Sequence, residues 1–208
     1  MSITVHHLEN SRSQRILWML EELGLPYGIT RYERDKRTML APPALRAIHP
    51  LGKAPVLEHD GRILVETAAI VEYLVEVAQG RLGPPQDEDG RLLYRQLLHY
   101  AEGSMMPPLL AILVASKLGP LGWPARRPLR SMLAVHLNWL DAELAKRTHF
   151  VGDTFSAVDI MMSFPLEAAR NRAGLDSRYP HLIEWLDRMH ARPAYRKALD
   201  AGGPYAYA

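Results

Sequence analysis

Apolar and polar positions change period several times along the chain, and each change marks an element. Ile3, Val5 and Leu8, interleaved with Thr4, His6 and His7, predict a short strand, helped by the β-branched Ile and Val. The polar turn Glu9-Asn10-Ser11-Arg12-Ser13 follows, and the period then becomes helical: Ile16, Leu17, Leu20 and Leu23 share one face. Gly24 and Pro26 stop that helix in the usual order. Tyr27 to Arg34 reads as a second strand. Residues 35–50 are polar, with room for one short helix around Ala44 to Ile48. Apolar runs at 55–59 and 62–65 flank Asp60-Gly61, the strongest short hairpin signal. Thr67 is expected to cap a helix whose apolar face is Ile70, Val71, Leu74 and Val75.

Strand–helix–strand demands a parallel pair, and the hairpin adds two antiparallel strands. A mixed four-stranded sheet in the order β-α-β-β-β-α results, which is that of a thioredoxin-like domain. Residues 79–90 then hold three glycines and two prolines in twelve positions. Everything beyond reads as helix. Leu92 to Met106 is one run, with Pro107-Pro108 marking a kink or restart, and Leu129 to Leu144 is another. Ser156 and Asp159 form a capping box opening Ile160 to Ala169, Tyr179 to Met189 is a further helix, and Pro193 starts the last. The expected architecture is α/β plus all-α: residues 1–80, a linker at 81–90, and an all-helical domain at 91–208.

Composition mainly excludes. The chain has no cysteine, which rules out a disulfide scaffold, a thiolate metal site and a cysteine nucleophile. A formal charge of +2, with neither half polarised, gives no field for nucleic acid. The longest apolar stretch, Met105 to Ala115, is too short to span a bilayer, and no signal peptide is readable. A cytoplasmic protein without membrane or nucleic-acid partners is the expectation. Dinucleotide, Walker A, zinc-protease and nucleophile-elbow motifs are missing. No metal is expected, because His6 and His7 point to opposite faces of a strand.

Three junctions remain as candidate sites. Ser11-Arg-Ser13 places hydroxyls beside the N–H groups of a helix start, where an anion is favoured, although one serine could simply cap the helix. In His49-Pro50-Leu51-Gly52-Lys53-Ala54-Pro55-Val56, a cis Ala54–Pro55 bond would turn the Ala54 backbone toward an extended peptide; an ordinary proline at a strand start is the alternative. Glu66-Thr67 pairs an acid for an ammonium group with helix N–H groups for a carboxylate, against Thr67 as a plain cap. All three lie on one edge of the same sheet. A hydroxyl, an exposed backbone edge and an amino-acid clamp suit a short peptide with a thiol in its middle.

At this point the chain resembles the glutathione S-transferase family over essentially its whole length. The resemblance rests on Ser11-x-Ser13-x-Arg15 with Leu23-Gly24-Leu25-Pro26-Tyr27, on the segment from His49 to Leu57, and on Glu66-Thr67-Ala68-Ala69-Ile70. Phe155-Ser156-Ala157-Val158-Asp159 and Arg192-Pro193-Ala194-Tyr195 complete it. It implies a thioredoxin-like glutathione domain, a helical domain, a homodimer and a part in detoxification. Glutathione would be the co-substrate, with no tightly bound cofactor. It further implies that Lys53, Ala54, Pro55, Glu66 and Thr67 hold glutathione, with Pro55 cis. Members present a tyrosine, serine or cysteine to the glutathione sulfur. Here the first tyrosine is Tyr27 and cysteine is absent, which leaves serine, as in the serine-type, bacterial-like members. Ser11 is preferred and Ser13 second, because Ser11 stands four positions before Arg15 as in those members.

The implied reaction is attack of the glutathione thiolate on a small apolar electrophile. A peroxidase or isomerase using the same thiolate, and a non-catalytic binding module of the same fold, are the competing readings. Met105, Met106, Leu109 and Trp123 are candidates for the electrophile pocket, with plain core as the alternative for each. The tail Pro204-Tyr205-Ala206-Tyr207 would either cover the site or hang loose.

Overall fold

The computed structural model describes residues 2–207. β1 (Ile3–Leu8), α1 (Ser13–Leu23), β2 (Tyr27–Tyr32), α2 (Pro43–Ile48), β3 (Val56–His59), β4 (Arg62–Leu64) and α3 (Thr67–Val77) build the first part of the chain. The sheet order is β2-β1-β3-β4, with β1 parallel to β2 and antiparallel to β3, and β3 antiparallel to β4. β1 is central and almost wholly buried, so apolar and imidazole side chains fill both its faces. β2, at the edge, alternates partial burial and exposure over most of its length. Asp60 and Gly61 both take positive φ, 48° and 80°, as a primed two-residue hairpin requires. Leu8, Leu45 and Val56 form a core cluster with Ala54 and Val65 packed on it, which seats α2 at one end of the sheet.

One expectation fails at α3. Thr67 is the first helical residue, and Glu66 occupies the cap position with φ 68° and no side-chain cap bond. The chain turns into the helix through a left-handed residue, so the threonine side chain is carried into the interior, 4% exposed.

The helical unit comprises α4 (Glu88–Tyr100), α5 (Met106–Lys117), α6 (Trp123–Leu144), α7 (Ala157–Arg172) and α8 (Pro180–His190). A π turn, Ala101–Met105, joins α4 to α5 without a break. Pro107 and Pro108 supply no N–H to the carbonyls four residues back, Gly103 and Ser104, and the widened turn lies at those positions. The resulting run Glu88–Lys117 is long and apolar enough, by length and composition, to cross a membrane. Its inward side is spent on the core through Leu97, Leu98, Ala101, Met105, Leu109 and Ile112. α7 is buried from Ala157 to Ala169 and forms the axis of this unit. Its start is the capping box foreseen at Ser156 and Asp159.

α9 (Pro193–Gly202) changes the domain boundaries read from the sequence. Residues up to Gly83 together with Ala191–Ala206 form one compact unit, and Pro84–His190 with Tyr207 form the other. α9 packs on α1, where Trp18 and Tyr195 meet edge-on at 5.1 Å. Arg192 grips Glu22 through Nε at 2.6 Å and Nη2 at 3.0 Å. The linker also shrinks, because Asp87 accepts from the Gly90 N–H at 2.7 Å and starts α4 inside the segment read as 81–90.

Candidate functional site

The pairing of the sheet brings the three candidate junctions to one end of it. β1 runs out at Leu8 into the turn carrying Ser11 and Ser13. β3 is antiparallel to β1, so it begins at that same end, where Val56 faces His6. β4 is antiparallel to β3 and therefore finishes there, at Leu64 beside Leu57. Ala54-Pro55 and Glu66-Thr67 thus flank the end of the sheet from which Ser11 rises.

Ser11 and Ser13 are buried, 6% and 0% exposed, and their hydroxyl oxygens lie 2.7 Å apart. Ser11 Oγ also accepts from the Ser13 N–H at 3.2 Å, at the first residue of α1; the cap position is Arg12, without a side-chain cap bond, so neither serine is the cap that the alternative supposed. Ser13 Oγ lies 2.9 Å from His7 Nδ1 and 3.3 Å from both the N–H and the carbonyl of Leu8. His7 is 3% exposed, and burial, reinforced by the Arg31 charge, lowers its pKa from 6.5 to about 4. A hydrogen bond to the Gly202 backbone opposes this shift. The ring is therefore neutral, with its one N–H given to Gly202. Nδ1 is then an acceptor facing the Ser13 hydroxyl.

This His7 contact was not foreseen. The signal lay in the strand period: His6 and His7 face opposite sides, His6 toward Tyr32 Oη at 2.9 Å and His7 toward the side covered by α1.

Ala54 lies beyond the last ladder pair of β3, and the Ala54–Pro55 peptide bond is cis. Pro55 is buried and Lys53 exposed. Glu66 is exposed, while its carbonyl accepts the first bond of α3 from Ile70 at 3.0 Å. The first-turn N–H groups of α3 open at this end. Asn10, next to Ser11, accepts through Oδ1 from the Ala206 N–H at 2.7 Å, tying that part of the tail to the β1–α1 turn.

The electrophile candidates divide by exposure. Met105, Met106 and Leu109 are 0%, 5% and 0% exposed within the helical core, the packing alternative given for them. Trp123, at the first position of α6, is 63% exposed.

Residues 11–77 match the family model for the glutathione S-transferase N-terminal domain, and residues 124–188 the model for its C-terminal domain. Glutathione S-transferase 3 of Schizosaccharomyces pombe is 36% identical, covering 95% of this chain and 87% of the relative. Glutathione S-transferase 1 of Saccharomyces cerevisiae is 32% identical over 93% of this chain and 92% of the relative. A crystal structure of a glutathione S-transferase from Actinobacillus pleuropneumoniae superposes with a TM-score of 0.87 at 33% identity, covering 98% of this chain and 94% of that one. A mixed sheet with these junctions at one end, a helical unit behind it in sequence, and relatives matching along nearly the whole length lead to one conclusion: the chain belongs to the glutathione S-transferase family and is a transferase.

Proposed function

We propose that this transferase joins glutathione to a small apolar electrophile, with the Ser11 hydroxyl donating to the glutathione sulfur and keeping it ionised. Lys53 attracts a carboxylate of the tripeptide, and the Ala54 backbone, presented by Pro55, pairs with its central peptide. Glu66 takes the ammonium group, and the α3 start at Thr67 takes the neighbouring carboxylate. The protein acts as a cytoplasmic homodimer.

The choice of serine is supported by the set of contacts around Ser13. Ser13 Oγ has His7 Nδ1 at 2.9 Å and the Leu8 carbonyl at 3.3 Å as acceptors, so with its one proton given to either of them the proton in the 2.7 Å contact between the serines is Ser11's. Turning the Ser11 hydroxyl toward a sulfur leaves Ser13 Oγ still accepting from the Leu8 N–H. Ser11 can change partner at little cost, whereas Ser13 would strand a buried imidazole nitrogen.

The energetics are adequate. Lowering a thiol pKa from about 8.5 by ~2 units takes ~2.7 kcal/mol. A hydrogen bond to a charged acceptor contributes about 1.5–3 kcal/mol. A helix start adds about 0.3–1 kcal/mol. Ser11→Ala is expected to leave the glutathione dissociation constant within about threefold while the ultraviolet thiolate band of bound glutathione titrates near its solution pKa and turnover drops. Equal turnover in Ser11→Ala and parent at saturating glutathione would remove Ser11 from the reaction.

A further inference from the structure

The helical unit holds a second polar site whose residues, apart from the electrophile candidate Trp123, have no part in the glutathione reading. A cavity of about 470 Å³ lies between α6 and the α7–α8 connection. Along α6 it is lined by Trp123, Arg126, Arg127, Arg130 and Ser131, and across from them by Arg178 and Tyr179. Four guanidinium groups face one space, and no carboxylate lines it. Arg126, Arg127 and Arg130 form no ion pair among the described residues, and the buried Nε of Arg126 has no acceptor. Arg178 is held in place by Asp176, through Nε at 2.8 Å and Nη2 at 3.0 Å, and its guanidinium lies 5.7 Å from the centre of the Tyr179 ring.

Like charges three and four positions apart weaken a helix, and a buried N–H without an acceptor adds to the cost. Both costs are offset when a multiply charged anion enters. Arginine forks match the paired oxygens of a phosphoryl group, and the volume falls in the range of small-organic-ligand pockets. The Trp123 and Tyr179 rings supply flat walls for a planar group.

We propose that this cavity binds a small organic phosphate: a planar ring carrying a multiply charged phosphoryl group, of nucleotide-like chemistry.

Calorimetry on the full chain, with ADP and pyrophosphate as probes, tests it. ADP is expected to bind saturably at one site per chain, at least fivefold more tightly than pyrophosphate. Its affinity should fall at least tenfold between about 0.1 M and about 1 M salt, as the screening length drops from about 10 Å to about 3 Å. Saturating glutathione should leave it unchanged. Arg126→Ala with Arg130→Ala, and Arg130→Glu alone on an exposed side chain, should each weaken ADP at least tenfold with glutathione binding and turnover intact. Absence of saturable ADP heat, or unchanged ADP binding in these variants with glutathione binding retained, overturns the proposal. So does displacement of ADP by glutathione, which would put the ADP in the glutathione site. Affinity for ADP no greater than for pyrophosphate overturns the planar-ring part. Since the readout is phosphate binding alone, failure here leaves the role of Ser11 standing.

Discussion

His7 is a buried imidazole between a serine hydroxyl and a backbone carbonyl, and its two neighbours constrain it in opposite ways. Its pKa, lowered mainly by burial from 6.5 to about 4, makes stability depend on acid. As pH falls below 6.5 the unfolded chain takes up a proton that the folded chain refuses. Stability is therefore complete above that value, declines by up to ~1.4 kcal/mol per pH unit, and levels off near pH 4 after a loss of about 3 kcal/mol. Urea unfolding at pH 7 and pH 4.5 measures the drop, and His7→Gln, which cannot titrate, should shrink it. The other neighbour is steric. A Cβ on Gly202 would sit 2.5 Å from Gln14 Oε1, 3.0 Å from Leu17 Cδ1 and 3.4 Å from His7 Cε1. Gly202→Ala is expected to lower stability by about 1–3 kcal/mol through overpacking, read as a lower urea midpoint. Should turnover fall further than stability explains, the His7–Ser13 geometry has moved with it.

Among the elements, α7 depends most on a single side chain. Asp159 is fully buried, and burial pushes its carboxyl pKa up. Donors from Phe150 N at 3.1 Å, Ser156 N at 2.9 Å and Trp185 Nε1 at 3.3 Å pull it back. Asp159→Ala strands three buried donors at about 1–3 kcal/mol each, so a loss of at least 3 kcal/mol in thermal or urea melts is expected. Retention of parental stability would mean the box is dispensable. This motif was legible because its residues are three apart, like the Asp60-Gly61 hairpin and the Gly24 stop. The Ser11, Ala54 and Glu66 junctions could also be placed on one sheet end from strand order alone. Thr67 as a cap misled, because the left-handed turn at Glu66 comes from how the β4 end meets α3 and not from a local residue preference. The π turn at 101–105 escaped for a similar reason: prolines announce missing donors, but only packing decides whether the helix breaks or widens.

At the scale of the whole chain, the order of residues and the order of packing diverge. α9 follows the entire helical unit in sequence yet covers α1, which is buried from Ser13 to Leu20, so both flanks of that helix are occupied. No period within 191–206 says which unit will receive it, and the sequence reading accordingly left it with its neighbours. A chain ended after His190 should therefore expose Trp18 and lose both cooperative melting of the first unit and glutathione binding. A shortened protein keeping both would show α9 to be a passenger. The same arrangement bears on biosynthesis. The strands and α1 leave the ribosome first, but their covering helix is translated only after residues 84–190, a delay of about 5–20 s at roughly 5–20 residues per second. For that interval the nascent sheet domain carries an uncovered tryptophan flank, a natural landing place for a holdase chaperone.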